Sequence, residues 1–322
     1  MRSYARCIML FFLLILVSCS KQEPKTSLYT YETLKMGMPL IVKVSRKDDI
    51  KQIVDQTFDE VDRIYNNWNP NSEISFVNHL PAYQSVQISS ELATFLNRVG
   101  EIVKVTQGRF DPTVDRLQKL WKHNLALGRL PSLEKLEQAQ ASVGWSKIHL
   151  TERLIYKENS NTAIDLSGVA KGYAVDLLAL RLKEAGFEHI MVDWAGEIKV
   201  IGLHPEERRW NIAILGGETV EMQDESIATS GSYLQYWEVD DVYYTHIIDP
   251  FKKEPLQQHP ISSVSVVLED CATADALATA LMLFSSAEEA KAWFHEKFPK
   301  GRIWTIENVS LHDPSPSFSL YP

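Results

Sequence analysis

The sequence predicts an α+β protein with one large domain, and two observations carry that prediction. Segments with helical spacing and short segments with strand character follow one another along the whole chain, and no linker rich in Pro or Gly separates them. The chain has 322 residues, 45% of them hydrophobic, so it can bury a full core. We therefore expect one domain over residues 28–322.

Several segments have apolar residues at the spacing of an amphipathic or buried helix. The predicted helices cover 49–65, 89–106, 133–139, 169–185 and 273–284, and a capping box at 286–289 opens a last one. Other segments are typical of strands. The predicted strands lie within 29–44 (two strands hinged at 36–39), 147–156 (a hairpin), 163–166, 190–192, 198–201, 210–215, 243–248, 263–268 and 301–306.

The N-terminal residues 1–18 are typical of a secretory signal. Two arginines, Arg2 and Arg6, precede an apolar run over residues 8–17. The sequence that follows, Leu16-Val17-Ser18-Cys19, resembles the bacterial lipobox, in which the cysteine is lipidated and becomes the mature N-terminus. We expect Cys19 to carry a lipid, residues 19–27 to be a polar tether, and the protein to face the periplasm from a membrane. An ordinary signal with an incidental cysteine is the alternative.

Charge and cysteine content exclude several classes of protein. The formal net charge is −9, and no basic cluster is present, which argues against a nucleic-acid partner. Once Cys7 leaves with the signal and Cys19 is acylated, Cys271 is the one cysteine of the domain. The sequence therefore offers no disulfide framework and no cysteine-based metal site.

The rest of the chain is organised around residues 163–186, where a short apolar segment, a Ser167-Gly168 turn and a helix follow one another. A carboxylate, Asp165, lies among apolar residues, where an unpaired charge is costly. Lys171 lies in the first helical turn, where the helix dipole disfavours a cation. A phosphate at this helix start would reverse that effect. Alternatively, Asp165 caps the helix and Lys171 extends to solvent.

A second candidate site lies in the apolar segment 273–284, which contains Asp275 and Thr279. At positions i and i+4 these side chains share one face of a helix. A carboxylate with a hydroxyl is a pair of hard oxygen ligands, suited to Mg²⁺ or Ca²⁺. A buried hydrogen bond between Asp275 and Thr279 is the structural alternative.

Two loops add candidate residues. Residues 227–232 form a predicted loop of small residues, including Thr229 and Ser230, of the kind that presents donors to an anion. Trp68 lies in a polar loop, where it either fills a gap in the packing or stacks on a flat ligand; packing is the default expectation.

Five motifs together resemble the ApbE family, the FAD:protein FMN transferases. They are Gly108-x-Phe110-Asp111-Pro112-Thr113, Asp165-Leu166-x-Gly168-x-Ala170-Lys171-Gly172-Tyr173-Ala174-x-Asp176, Ala228-Thr229-Ser230-Gly231, His246-Ile247-Ile248-Asp249-Pro250 and Thr273-Ala274-Asp275-Ala276-Leu277-Ala278-Thr279. The resemblance implies an ApbE-like mixed fold with a mostly antiparallel sheet. It also implies an exported, Mg²⁺-dependent enzyme that transfers FMN from FAD to a Thr or Ser hydroxyl of a target protein and releases AMP. The implied targets are subunits of membrane redox complexes such as Na⁺-translocating NADH:quinone reductase.

The resemblance also implies roles for individual residues. FAD contacts are implied for Met36, Trp68, Arg109, Phe110, Asp111, Asp165, Lys171, Thr229, Ser230, His246 and Ile248. Metal ligands are implied for the Gly168 carbonyl and for the side chains of Asp275 and Thr279. The acceptor hydroxyl must lose a proton; His246 is the candidate base, and Asp165 or Asp249 could do the same work.

Some positions depart from the family pattern. The residues Lys35-Met36-Gly37-Met38 lack both threonines of the usual motif, Ser167 replaces a Gly, and Trp194-Ala195-Gly196-Glu197 replaces a Gly-Gly-Asp stretch. Two other functions stay open at this point. One is an FAD pyrophosphatase in which water replaces the acceptor hydroxyl, and the other is a flavin-binding lipoprotein without catalysis.

Overall fold

A seven-stranded, fully antiparallel sheet lies at the centre of the fold. The structure, a computed structural model, describes residues 27–214 and 216–308. In spatial order the sheet strands are β1 (Tyr29–Lys35), β2 (Met38–Val44), β6 (Ile190–Trp194), β7 (Glu197–Ile201), β10 (Ser226–Gly231), β15 (Ile261–Leu268) and β16 (Arg302–Glu307). The antiparallel order confirms the expected sheet type.

Eight helices accompany these strands in the described residues. They are α1 (Lys51–Ile64), α2 (Glu73–Asn78), α3 (Ser90–Val105), α4 (Asp115–Ala126), α5 (Leu133–Ser142), α6 (Ala170–Glu184), α7 (Cys271–Leu281) and α8 (Ala287–Lys297). The predicted capping box is confirmed, since Ser286 accepts a hydrogen bond from the Glu289 main-chain N–H.

The remaining strands form small sheets around the main one. They are β3 (Val86–Gln87), β4 (Ile148–Thr151) and β5 (Leu154–Lys157) in one sheet, and the pairs β8 (Trp210–Ala213) with β9 (Thr219–Met222), β11 (Tyr236–Val239) with β12 (Val242–Thr245), and β13 (Ile248–Asp249) with β14 (Glu254–Pro255). The β8–β9 hairpin packs Trp210 and Ile212 against Val200 of the sheet. A separate part of the core contains Leu178 of α6 and Ala276 of α7, which pack with Val192 of β6.

Helices α6 and α7 approach each other closely, and this contact positions the site. A Cβ atom at Gly172 would lie 2.3 Å from the Cys271 carbonyl oxygen, so only glycine fits there. Asp176 of α6 accepts hydrogen bonds from the first main-chain N–H groups of α7, those of Cys271 (3.1 Å) and Ala272 (3.0 Å). These contacts fix the register that brings the first turn of α6 beside Asp275.

The predicted strand over 163–166 is wrong. Apart from one isolated bridge between Ala163 and Val114, the segment has no strand partner. The Asn78 side chain instead bonds both main-chain groups of Ile164, accepting from its N–H (2.7 Å) and donating to its carbonyl (2.9 Å). The Asn78 side chain thus takes the place of the main-chain hydrogen bonds of a sheet, and it pairs the buried N–H and C=O groups of Ile164.

Three other expectations need correction. Residues 227–232, predicted as a loop, lie mostly in β10, whose small residues let α7 pack closely: Ser230 Oγ lies 3.0 Å from Thr279 Oγ1. The strand predicted over 243–248 ends at Thr245, and His246 occupies a bend before β13. Helices α2 and α4 were not predicted.

Two further expectations reach beyond the described residues. Cys19 and the signal segment lie outside them, as does Leu215 at the end of the strand predicted over 210–215. Among the helices of residues 27–214 and 216–308, none is long and apolar enough to cross a bilayer.

Candidate active site

Two adjoining cavities, of about 340 and 390 Å³, contain the predicted site residues. The first lies between α4, α6, α7, β10 and the loop around Phe110. Its lining includes Arg109, Phe110, Asp111, Asp165, Gly168, Lys171, Thr229, Ser230, His246, Ile248, Asp275 and Thr279. The second is lined by Met36, Met38, Tyr65 and Trp194, among others, and shares Trp68, Ser167 and Lys171 with the first. Volumes of this order are typical of small-molecule sites.

The predicted metal ligands meet at one end of the first cavity. The Thr279 hydroxyl lies beside Gly168: a Cβ atom added to this glycine would be 3.6 Å from Thr279 Oγ1. The Asp275 carboxylate accepts a hydrogen bond from the Gly172 N–H (3.1 Å), and this bond involves only its oxygen Oδ2. The Thr279 hydroxyl donates to the Asp275 main-chain carbonyl (3.4 Å) and not to its carboxylate. The structural alternative, an Asp275–Thr279 side-chain bond, is therefore not what the fold uses.

The ammonium of Lys171 forms an ion pair with Glu197 of β7, a side chain that is only 1% exposed. This pair was not predicted, and it contradicts the interpretation that Lys171 simply extends to solvent, whereas a phosphate at this helix start stays a prediction. The lysine does not extend to solvent, and a carboxylate of the protein itself offsets the unfavourable helix dipole. Its side chain still keeps 30% of its surface accessible and lines both cavities.

The charges around Lys171 are unbalanced. Burial raises the pKa of Asp275, and burial together with the neighbouring Asp275 raises the pKa of Glu197 to about 7. Burial alone would lower the pKa of Lys171, but Glu197 and Asp275 raise it above its ordinary value. The second oxygen of Glu197, Oε2, is buried without a hydrogen-bond partner in the described structure. Two carboxylates thus face one ammonium.

Asp165 does not cap helix α6, contrary to the structural alternative. Its Oδ1 accepts the Ser167 N–H (2.8 Å), which closes the turn ahead of the helix, and α6 begins without a side-chain cap. The Asp165 N–H donates to the Pro112 carbonyl (2.7 Å). These bonds hold the carboxylate at the cavity wall.

His246 lies in the cavity wall with a defined tautomer. Its Nδ1 lies 3.1 Å from the Gln235 carbonyl, which can only accept, so Nδ1 carries the proton and Nε2 can take one up. Burial lowers the pKa of His246, and the positive charges of Lys122 and Lys171 lower it further. The ring is therefore neutral at pH 7, the state that a base needs.

The triplet 109–111 reaches the cavity from the end of α3. The Arg109 guanidinium lies 4.3 Å above the Phe284 ring, which holds the cation over an apolar surface. Asp111 accepts main-chain N–H groups of Thr113 (2.9 Å) and Trp145 (3.2 Å). In this structure Asp111 therefore orders its own loop.

The default expectation that Trp68 fills a gap in the packing is wrong. The side chain is 59% exposed and donates from Nε1 to Ser167 Oγ (3.3 Å) at the junction of the two cavities. Met36, in the tight turn between β1 and β2, is also partly exposed, with a φ of 51°. An exposed indole beside a cavity is suited to a flat ligand.

Sequence reasoning missed two charged residues of the site, Glu197 and Lys122. The family motif has an acidic residue at the position of Glu197, and this match could have identified Glu197 from the sequence. Lys122 lies on α4, whose apolar residues Leu117, Leu120, Trp121 and Leu125 have the spacing of an amphipathic helix. Within the described ranges, no three His, Cys, Asp or Glu side chains cluster as a metal site.

Comparison with known proteins identifies the family. The model of the ApbE family matches residues 36–301. The chain belongs to the ApbE family. An FAD:protein FMN transferase of Chlamydia pneumoniae is 40% identical to this ApbE-family chain, covering 89% of it and 94% of the relative. One of Vibrio cholerae is 30% identical, over 84% and 85%.

Solved structures agree with that assignment. The apo form of the Pseudomonas stutzeri flavinyl transferase ApbE superposes with a TM-score of 0.79 at 25% identity, covering 88% of this chain and 92% of that one. The Vibrio cholerae flavin transferase ApbE superposes with a TM-score of 0.75 at 28% identity, over 88% and 94%. These matches confirm the α+β, single-domain fold of the ApbE family.

Proposed function

We propose that this protein binds FAD with Mg²⁺ and transfers its FMN group to a Thr or Ser hydroxyl of an acceptor protein, with AMP as the leaving group. The enzyme class, FAD:protein FMN transferase, follows from the family and from the full-length relatives. The metal, the acceptor residue and the cellular location are the proposed part.

One observation carries the proposal. The oxygen ligands line the first cavity near Lys171, and Lys171 itself lines both cavities where they join. A dinucleotide has two aromatic ends linked by a diphosphate, and this arrangement matches that shape. The cation and the metal ligands would meet the diphosphate, while Trp68 would contact a flat ring beside the junction.

The residues present fit a hard divalent cation. Asp275, the Thr279 hydroxyl and the Gly168 carbonyl would supply oxygen ligands. Lys171, Glu197 and Asp275 together carry one excess negative charge when both acids are ionised, which a cation would neutralise. When bound, Mg²⁺ would neutralise diphosphate oxygens and stabilise AMP as it leaves.

The transfer itself needs one proton acceptor. The acceptor hydroxyl oxygen forms a bond to the phosphorus of the FMN half, the bond from that phosphorus to the AMP oxygen breaks, and the hydroxyl proton leaves. His246 Nε2 would take this proton, since its Nδ1 is held by the Gln235 carbonyl. Asp165, on the same cavity, is the alternative base.

The decisive experiment incubates the mature protein with FAD, Mg²⁺ and a candidate acceptor, such as a subunit of Na⁺-translocating NADH:quinone reductase prepared without its covalent flavin. Covalent flavin fluorescence on the acceptor supports transfer. Release of free FMN and AMP without acceptor labelling would indicate a pyrophosphatase, and unchanged FAD would indicate flavin binding without catalysis. Either of these results would overturn the proposal.

We also propose that Cys19 is lipidated and holds the enzyme at a membrane, facing the periplasm, because Cys19 directly follows the apolar run of the signal. Fractionation of cells that produce Cys19→Ala would show a soluble or unprocessed form. Unchanged processing and membrane association of this variant would rule the anchor out.

A further inference from the structure

Helix α4 places a cation in the first cavity that neither the motifs nor the mechanism above uses. Lys122 lines this cavity together with Gln118, one turn earlier on the same helix. Gln118 donates from its side-chain amide to the His246 carbonyl (3.3 Å), which ties α4 to the segment that carries the candidate base. Lys122 therefore lies on a wall that is held against the reacting groups.

The charge of Lys122 has no ion-pair partner among the described residues. Its neighbour Lys119 pairs with Asp115 (2.8 Å), and Lys171 pairs with Glu197. Burial lowers the pKa of Lys122, and the only opposing influence is the carboxylate of Asp165 across the cavity. A half-buried ammonium without a counter-ion is costly, so the site is arranged for an anion that comes from outside the chain.

The surroundings of Lys122 indicate which anion this is. Its Nζ lies 6.0 Å from the centre of the Trp68 ring, at the junction of the two cavities. An anion bound there would lie next to a flat aromatic surface, in the cavity that Lys171 also lines. In a flavin dinucleotide the diphosphate is the group that combines these features.

We propose that Lys122 is a second phosphate-binding residue of the site, which contacts the FAD diphosphate from the α4 wall while Lys171 contacts it from α6. The inference rests on FAD being the substrate. It assigns α4 a role in holding the nucleotide, in addition to its packing through Trp121 and Leu125.

The test compares Lys122→Met with Arg116→Met, an exposed residue of the same helix that does not line the cavities. Both variants lose one positive charge. Affinities of the full mature chain for FAD and for riboflavin, which lacks phosphate, would be measured by flavin fluorescence at low and high salt. We expect Lys122→Met to weaken FAD binding about 10-fold or more, as for a lost charged hydrogen bond. Riboflavin binding should not change.

The control Arg116→Met should bind FAD as the wild type does, and Lys122→Arg should recover most of the lost affinity. The salt dependence of FAD binding should be weaker in Lys122→Met than in the wild type. If the wild type binds FAD and Lys122→Met binds it equally well, this inference is wrong and the proposed function stands. Equal losses for FAD and riboflavin, or a loss confined to the KM for the acceptor, would also overturn it. A wild-type chain that binds no FAD would overturn both.

Discussion

Two lysines of the protein, Lys157 and Lys171, have contrasting surroundings. Lys157 has no exposed surface, and its ammonium donates to three main-chain carbonyls, those of Asn78 (2.7 Å), Ser160 (3.1 Å) and Thr162 (2.7 Å). Each of its three N–H donors thus has a partner from the chain itself. Lys171 pairs with one carboxylate, has a second nearby, and remains open to both cavities.

The two lysines consequently respond to the fold in opposite directions. Burial lowers the pKa of Lys157 to about 8, whereas Glu197 and Asp275 raise the pKa of Lys171. Burial of a cation is therefore not by itself a sign of function. What distinguishes the functional region is a charge balance that the protein leaves incomplete, next to a space that a ligand can enter.

The largest expected effect concerns the carboxylate side of the Lys171 region. In Asp275→Asn, FMN transfer should fall about 100-fold or more, because the variant lacks the charge that a hard cation needs. Stability without metal should stay level or rise, since an amide oxygen can still accept the Gly172 N–H and an excess charge is removed. Thermal unfolding without metal and transfer across a Mg²⁺ titration would be measured together. A destabilised variant with a normal Mg²⁺ dependence would show that Asp275 is only structural.

Lys157→Met should have the largest effect on stability. Three buried carbonyls lose their donors, which should lower the free energy of unfolding by about 3 kcal/mol or more. The affinity of the folded fraction for FAD should be unchanged. Lys147→Met is the control, because the Lys147 ammonium donates to one carbonyl, that of Val143 (2.6 Å), and should cost about 1 kcal/mol or less. Chemical denaturation gives both values, and similar costs for the two variants would contradict the comparison.

Lys171→Met should affect both stability and ligand binding. The buried Glu197 loses its partner, at a cost of about 1–3 kcal/mol near neutral pH, and FAD binding should weaken about 10-fold. The pKa of Glu197 is raised to about 7, so Glu197 carries its charge in the folded protein only above about that pH. The stability loss in Lys171→Met should therefore grow as the pH rises through 7, where the missing ammonium would have faced a charged Glu197.

The double variant Lys171→Met/Glu197→Gln separates the two roles of Lys171. It should regain much of the stability, since the buried Glu197 carboxylate is no longer present without its partner, but not the affinity for FAD. Denaturation curves and flavin fluorescence would be compared for the single and double variants. Full recovery of FAD binding in the double variant would mean that Lys171 serves only to neutralise Glu197.

The smallest expected effect is on His246. Its pKa should lie below 6.5, so the base form is lost, and transfer declines, only as the pH falls below that value. Lys171→Met should raise this pKa, because a neighbouring positive charge is removed. Lys157→Met should leave it unchanged. NMR titration of the imidazole gives these values, and an equal shift in both variants would contradict the distinction between the two lysines.

Much of the fold could be predicted from the sequence, because its signals are local. The spacing of apolar residues predicted α1, α3, α6 and α7 to within a few residues, and the Ser286 cap marked the start of α8. The motifs named residues that the structure gathers around two adjoining cavities, although their individual roles remain predictions.

The sequence by itself therefore determined most of the long helices, the family and most of the predicted residues that line the two cavities. The tertiary structure decided which groups satisfy one another. Asn78 bonds the backbone of Ile164 and so prevents a strand there. Glu197 reaches Lys171 from a strand of the sheet, and Lys122 has no ion-pair partner among the described residues. The physical reason is that helical and strand periodicity depends on neighbours along the chain. The balance of buried charges depends instead on which elements meet, and it is settled only when α4, α6, α7 and β7 pack around one cavity.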